Sequence, residues 1–184
     1  MPDRDERYYR AYLQHHSVSR RGLFRGIFSG FKKASENEQI KELYRESPRP
    51  PGAVEEALFV QLCQSCDLCK SACPEHVIEI SQSRPVINLD YNHCSQCALC
   101  SDICPSGALA SENKDIGLRP FFQKNCINSI SGNCQTCADS CPQQAITVQQ
   151  KKRPEVDNNR CDGCGRCRSA CYIGSIEMQF KYSG

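Results

Sequence analysis

The stretch CQSCDLCKSACP, from Cys63 to Pro74, decides the fold of this chain. It spaces four cysteines as C-x2-C-x2-C-x3-C and places a proline directly after the last one. Three similar stretches follow it: CSQCALCSDICP from Cys94, CINSISGNCQTCADSCP from Cys126 and CDGCGRCRSACY from Cys161. We name them runs one to four in chain order. They contain all sixteen cysteines, four to each run, so this repeat organises the sequence.

The composition leaves a large structural role to the cysteines. The chain has 184 residues, lacks Trp, is 39% hydrophobic with cysteine included, and has a mean hydropathy of -0.56. A large apolar core is therefore not expected. Such frequent cysteines indicate either a disulfide framework or a metal protein.

The N-terminal third helps to separate these two classes. An export signal needs a basic region followed by about 7 to 15 apolar residues. In SRRGLFRGIFSGFKK, which begins at Ser19, the apolar residues are interrupted by Arg25, Gly26 and Ser29. No stretch is long and apolar enough to span a membrane either. The sequence predicts a soluble cytoplasmic protein without a transmembrane segment, whose reduced thiols bind metal.

The spacing of runs one, two and four matches the bacterial ferredoxin motif for a [4Fe-4S] cluster. In that motif, three cysteines wrap one cluster and the fourth binds the cluster of a partner run. Zinc is a weaker alternative, because zinc sites pair C-x2-C elements across a dozen or more residues. Neighbouring disulfides at this spacing would have poor geometry. The runs therefore predict four [4Fe-4S] clusters.

Segments between the runs indicate the fold around these clusters. VIEIS and PVINLD separate runs one and two, and AITVQ and PEVD separate runs three and four. Each pair reads as two short strands around a polar turn. The prediction is an α+β fold of two tandem bacterial 2[4Fe-4S] ferredoxin-like units, in residues 53–118 and 119–184. Residues 1–52 form a helical or partly disordered extension that ends in a Pro-rich linker, SPRPPG.

The ligand sets depend on which runs pair. If neighbours pair, one cluster binds Cys63, Cys66, Cys69 and Cys104, and a second binds Cys94, Cys97, Cys100 and Cys73. A third then binds Cys126, Cys134, Cys137 and Cys171, and a fourth binds Cys161, Cys164, Cys167 and Cys141. The matched connections within each pair of runs favour this arrangement. Nested pairing, in which run one pairs with run four, is the open alternative.

Run three differs from the others at its first interval. Seven residues, INSISGN, separate Cys126 from Cys134, where the other runs have two. The insertion ends in Gly-Asn, which favours a chain reversal, and its five extra residues cost only about 1 kcal/mol or less in closure entropy. We expect Cys126 to bind iron. If it is instead a spare thiol, only three clusters are complete.

The N-terminal extension contains a basic and apolar segment. Its candidate partner-binding residues are Arg20, Arg21, Leu23, Phe24 and Arg25. RYYRAYLQHH and NEQIKELYRE on either side read as short helices. We expect the segment to fold on a partner protein or to lie on an anionic membrane face. The alternative is a partly disordered tail that covers the ferredoxin body.

The sequence lacks the motifs of several other functional classes. It contains no phosphate-binding loop, no nucleophile-base constellation and no concentrated nucleic-acid patch. The prediction is therefore an electron-transfer or accessory protein that is not itself an enzyme and does not bind nucleic acid.

The SRRGLFRG element, two regular runs, a third run with a C-x7-C interval and a regular fourth together resemble the NapF family. These are ferredoxin-type accessory proteins of periplasmic nitrate reductase systems. The resemblance implies a cytoplasmic iron-sulfur protein that assists maturation of the unexported catalytic subunit, or supplies electrons to it. Two alternatives are an electron-relay subunit of another oxidoreductase complex and an iron-sulfur store or redox sensor.

Overall fold

The computed structural model describes residues 45–181, which contain all four runs. The predicted N-terminal helices and the candidate partner residues Arg20, Arg21, Leu23, Phe24 and Arg25 lie outside the described residues. The helices in this part are α1 (Glu56–Leu62), α2 (Leu68–Ser71), α3 (Leu99–Asp102), α4 (Ile127–Ser131), α5 (Thr136–Asp139) and α6 (Arg166–Ala170). The strands are β1 (Ile78–Ser81), β2 (Arg84–Ile87), β3 (Leu118–Phe122), β4 (Ile146–Thr147), β5 (Glu155–Val156) and β6 (Ile176–Phe180). Within residues 45–181, no helix is long and apolar enough to cross a membrane.

Two antiparallel hairpins connect the runs. β1 pairs with β2, with Ile78 opposite Ile87, and β4 pairs with β5, with Ile146 opposite Val156. The polar turn between β1 and β2 has positive φ at both central residues, as a type I′ hairpin requires. Both strand pairs confirm the hairpins predicted from VIEIS and PVINLD and from AITVQ and PEVD.

The segment that contains runs three and four is closed by its outer strands. β3 and β6 lie on either side of these runs and pair antiparallel, with Phe122 opposite Ile176. These two side chains pack with Ile146 and the buried Cys137 and Cys167 in one core cluster. The strands that bring the segment's ends together thus also bury its thiols.

The segment that contains runs one and two is closed differently. Helix α1 precedes run one, and irregular backbone bonds join residues 52–54 to residues 108–113. The Val54 N–H donates to the Ala108 carbonyl at 3.1 Å, and the Ser111 N–H donates to the Gly52 carbonyl at 2.8 Å. The preceding Pro50 and Pro51 have no N–H to contribute to a sheet, which explains why no regular strand forms there.

The segment SPRPPG, which the sequence suggests as a linker, packs against the body instead. Arg49 lies within 2.5 Å of the Glu56 carboxylate and also donates to the Pro85 carbonyl at 3.1 Å. Its guanidinium lies 4.8 Å from the ring centroid of Phe59. Arg49, Glu56 and Pro50 are all buried. The linker prediction therefore does not describe residues 47–52, because they pack against α1 and β2 through contacts that leave no pattern in the sequence.

Run four contacts the loop around run two. Arg168 in α6 donates hydrogen bonds of 2.6 Å to the carbonyls of Leu89 and Asp90. Nearby, the Cys94 N–H donates to the Cys164 carbonyl at 2.8 Å. These contacts join the two ferredoxin-like segments.

We predict that Arg168→Ala lowers the free energy of unfolding by about 2–3 kcal/mol, because two charged hydrogen bonds to carbonyls are lost. Arg166→Ala in the same helix is the matched control, and we expect a change within about 0.5 kcal/mol. Anaerobic thermal unfolding followed by circular dichroism measures both. Equal destabilisation of the two variants would contradict this role for Arg168.

Candidate metal centres

The regular runs share an unusual backbone around their second cysteine. In each, the residues directly before and after that cysteine have positive φ. These residues are Ser65 and Asp67 (+53° and +59°), Gln96 and Ala98 (+59° and +65°), and Gly163 and Gly165 (+76° and +79°). Since non-glycine residues rarely adopt this region, the repetition shows a common local fold. The spacing of the cysteines, rather than the intervening side chains, determines the shape of the loop.

A second shared turn follows the last cysteine of every run. The third residue after that cysteine has positive φ in all four runs: His76, Gly107, Gln144 and Gly174. In runs three and four, the next residue donates its N–H to the cysteine sulfur at 3.4 Å. Run three keeps this half of the motif, and run four keeps it with Tyr172 in place of proline.

Two groups of thiols surround recesses in the surface. Group II consists of Cys73, Cys94, Cys97 and Cys100, which line one recess. Group III consists of Cys126, Cys134, Cys137 and Cys171, which line another. Each group takes three cysteines from one run and the last cysteine of the neighbouring run.

The other eight thiols form two similar sets. Group I consists of Cys63, Cys66, Cys69 and Cys104, and group IV consists of Cys141, Cys161, Cys164 and Cys167. Burial raises the pKa of Cys69 to about 11, and the other three thiols of group I add to the rise. Burial raises the pKa of Cys167 to about 12, and Cys161, Cys137 of group III and Cys141 add to the rise in that order. Cys141 also adds to the pKa rise at Cys161, and Cys167 adds to that at Cys164. These mutual effects place the thiols of each set near one another, with Cys137 of group III also near group IV.

The structure therefore groups the thiols by neighbouring runs. Cys73 lies with run two and Cys104 with run one, while Cys141 lies with run four and Cys171 with run three. This is the neighbour arrangement and not the nested one. All sixteen cysteines lie within the described residues, and none forms a disulfide. Each therefore has a free sulfur within a set of four.

The insertion in run three forms a short helix rather than an open loop. α4 begins directly after Cys126 and ends at Ser131, and the following residue, Gly132, has a φ of +83°. Asn128 is 2% exposed, and its amide donates at 2.7 Å to the carbonyls of Gln149 and Lys152. The insertion is thus attached to the turn between β4 and β5, and it returns the chain so that Cys126 is buried in group III.

The donor set of each group fits an iron-sulfur cluster. A [4Fe-4S] cluster takes one thiolate on each of four irons, and each group offers four sulfurs. Within residues 45–181, no three His, Cys, Asp or Glu side chains are placed to hold a single metal ion. Burial raises the pKa of Cys100 to about 12 and that of Cys94 to about 11. These thiols are therefore neutral until a metal ion stabilises the thiolate.

An ion pair that sequence analysis did not select, formed by Arg119 and Asp115, lies near group IV. Arg119 is 8% exposed and donates to both oxygens of the Asp115 carboxylate at 2.7–2.8 Å. Burial raises the pKa of the Cys161 thiol, and the nearby Arg119 opposes that rise while Asp162 adds to it. Arg119 lies outside every run, so no spacing in the sequence could identify it.

Comparisons with known protein families agree with this donor set. The 4Fe-4S dicluster domain family matches residues 62–108, and the LdpA Fe-S cluster-binding domain family matches residues 131–182. The chain is therefore a ferredoxin-type iron-sulfur protein with two 4Fe-4S ferredoxin-type domains.

Relatives matched over more than two thirds of their length define the family more closely. An uncharacterized protein of Haemophilus influenzae is 38% identical over 177 residues, which cover 96% of this chain and 99% of the relative. Ferredoxin-type protein NapF of Escherichia coli K12 is 28% identical over 172 residues, 90% and 97% of the two chains. The methylamine utilization ferredoxin-type protein MauM of Methylophilus methylotrophus is 32% identical over 155 residues, 71% and 69%. The chain belongs to the family of ferredoxin-type proteins that includes NapF.

We predict that Gly132→Ala disrupts group III more than Gly174→Ala does. Both glycines have positive φ, but an added Cβ at Gly132 would lie 2.8 Å from Gln150 Cγ, whereas Gly174 has open space around it. We expect a cost of about 1–2 kcal/mol from the left-handed backbone at either site and an additional loss of iron only for Gly132→Ala. Iron content after anaerobic reconstitution measures this. Equal iron loss in both variants would show that crowding at the insertion is unimportant.

We also predict a pH dependence for the iron-free chain. Because burial raises the folded pKa of Cys94 and Cys100 above the ordinary value of 9.0 to about 11 and 12, the folded state keeps their protons when the unfolded state loses them. Stability should therefore fall as the pH rises from about 9 to about 12. Alkylation rates of Cys94 and Cys100 by iodoacetamide, followed by mass spectrometry, should show midpoints in that range. Midpoints near 9 at Cys94 and Cys100 would contradict their burial.

Proposed function

We propose that groups I to IV each bind one [4Fe-4S] cluster and that the protein carries single electrons through them. The observation that supports this most strongly is the grouping itself. All sixteen cysteines fall into four sets of four, and every set combines two neighbouring runs. In group III, Cys126 supplies the fourth sulfur despite the insertion. The clusters would supply the one-electron chemistry, while the chain supplies the thiolates and N–H donors that hold them and adjust their potentials.

The contacts between groups suggest the order of the electron path. Cys69 of group I adds to the pKa rise at Cys100 of group II, where burial is the main cause. Cys137 of group III has the same effect on Cys167 of group IV. Between the two domains, the hydrogen bond from the Cys94 N–H to the Cys164 carbonyl joins group II to group IV. The proposed order is therefore I, II, IV, III, with groups I and III at the ends.

The physiological role that we propose is cytoplasmic. The protein would assist maturation of the catalytic subunit of periplasmic nitrate reductase before its export, or supply electrons to it. Similarity to NapF over 90% of this chain and 97% of that protein supports this role. The basic segment from Arg20 to Arg25 is the candidate binding site for the subunit, and its positive charge would also favour contact with an anionic membrane surface.

A second role is an electron relay in another oxidoreductase complex. The 32% identity to MauM, a methylamine utilization ferredoxin-type protein, favours this candidate. The two roles share the same clusters and differ in the protein that receives the electrons.

Anaerobic reconstitution tests the cofactor proposal. Four [4Fe-4S] clusters require about sixteen irons and sixteen sulfides per chain. We expect Cys126→Ser to lower the iron content or to produce the EPR signal of an oxidised three-iron centre. Cys66→Ser in regular run one is the matched control and should cause a similar loss. A full complement of iron with an unchanged EPR spectrum in Cys126→Ser alone would show that Cys126 is a spare thiol.

Capture of the nitrate reductase subunit tests the partner proposal. The reconstituted chain should retain the unexported catalytic subunit, and deletion of residues 1–35 should abolish retention while the iron content is unchanged. If the deletion does not affect retention, the basic segment is not the binding site. If the intact chain does not retain the subunit, the relay role in another complex is favoured.

A further inference from the structure

The surface beside group III carries a cluster of positive side chains. We define the basic rim as Lys124, Lys151, Lys152 and Arg153, all of which are exposed. Lys124 lies two residues before Cys126, and Arg153 directly precedes Pro154, which lines the group III recess. Lys151 approaches Gly132 at the end of α4. The basic rim therefore lies in the two segments that flank Cys126 and Pro154 in the lining of this recess.

Two large apolar side chains are exposed in the same region. Ile130 in the inserted helix α4 is 70% exposed, and Tyr172, which lines the group III recess, is 72% exposed. A single exposed apolar side chain is ordinary. Apolar side chains together with a positive rim match the composition of a protein contact site, where an apolar centre is surrounded by polar groups.

The charge of the polypeptide is divided between the two domains. Residues 119–181 contain nine basic and five acidic side chains, whereas residues 53–118 contain three basic and nine acidic ones. Two bound [4Fe-4S] clusters, at about −2 each with their four thiolates, would add about −4 to each domain, so the group III domain would be near neutral and the other strongly negative. An acidic protein is therefore directed towards the domain that contains group III. The same division disfavours its approach to group I, at the other end of the proposed electron path.

The seven-residue insertion helps to build this surface. Asn128 donates to the carbonyls of Gln149 and Lys152, so the backbone of the basic turn is tied to α4. The insertion thus attaches α4, which carries Ile130, to the turn that carries Lys151 and Lys152, while it returns Cys126 to group III. This gives the insertion a second role besides supplying a thiol.

We propose that the basic rim, with Ile130 and Tyr172, is the docking surface for the acidic face of a one-electron carrier protein. This inference rests on the proposed cluster in group III. One electron leaves the reduced carrier, which is oxidised, and reduces that cluster; no covalent bond forms or breaks. Charge complementarity accelerates the encounter, and the apolar side chains hold the carrier close to the recess.

The test compares two double variants of the reconstituted full-length chain. Lys151→Glu with Arg153→Glu reverses two charges of the basic rim. Lys114→Glu with Lys181→Glu is the matched control, because both lysines are exposed and lie near Gly117, at the end of the β3–β6 sheet opposite Phe122 and the group III recess. The probe is reduced acidic flavodoxin, and stopped-flow absorption gives the second-order rate constant at increasing ionic strength. Iron content confirms that each variant keeps its clusters.

For the unaltered chain, the rate constant should fall as salt rises, because screening weakens the attraction. The basic-rim variant should react about tenfold more slowly at low salt and lose most of its salt dependence, whereas the control should stay within about threefold. Equal slowing of both variants, or no slowing of the basic-rim variant, would overturn the proposal. So would concentration-dependent self-association that only the basic-rim variant loses, since the acidic domain of a second copy would then be the occupant. Capture of the nitrate reductase subunit is a separate experiment. If that capture fails, the proposed partner is wrong, but the flavodoxin result still tests the docking surface.

Discussion

The rest of the structure depends on the exchange of one cysteine between neighbouring runs. Because the last cysteine of each run belongs to its neighbour's group, no run completes a set of four thiols by itself. The chain between two runs must return close to its starting point, and the β1–β2 and β4–β5 hairpins perform this reversal. Seven of the buried apolar positions within residues 45–181 are cysteines. A bound cluster would therefore link elements that have few apolar contacts and would add to the stability of the fold.

The cysteine spacing and the hairpins could be predicted from the sequence because both are local patterns. The shared left-handed turns around Cys66, Cys97 and Cys164 show that the motif determines backbone shape over a few residues. The contacts of Arg49 and Arg168 could not be predicted in this way. Their partners are backbone carbonyls and a carboxylate brought near by the fold, and any arginine in the chain could make such contacts. For the same reason, the sequence suggested a linker where residues 47–52 are packed.

Run three shows which structural features local sequence patterns can predict and which they cannot. Its Gly-Asn pair correctly indicated a reversal, and Gly132 has the left-handed backbone that ends α4. The sequence did not show that Asn128 attaches the insertion to the turn that contains Lys151 and Lys152, because these hydrogen bonds span more than twenty residues. The insertion therefore has two roles: it returns Cys126 to group III, and it forms part of the surface beside that group.

The central claim is that each metal centre is held jointly by two neighbouring runs. A crystal structure of the anaerobically reconstituted chain, with anomalous data collected at the iron edge, tests this claim most directly. The account predicts four iron clusters, with Cys171 bound to the run-three cluster and Cys141 bound to the run-four cluster. Clusters held by the four cysteines of a single run, or a Cys73 sulfur bound to the cluster of run four, would contradict it.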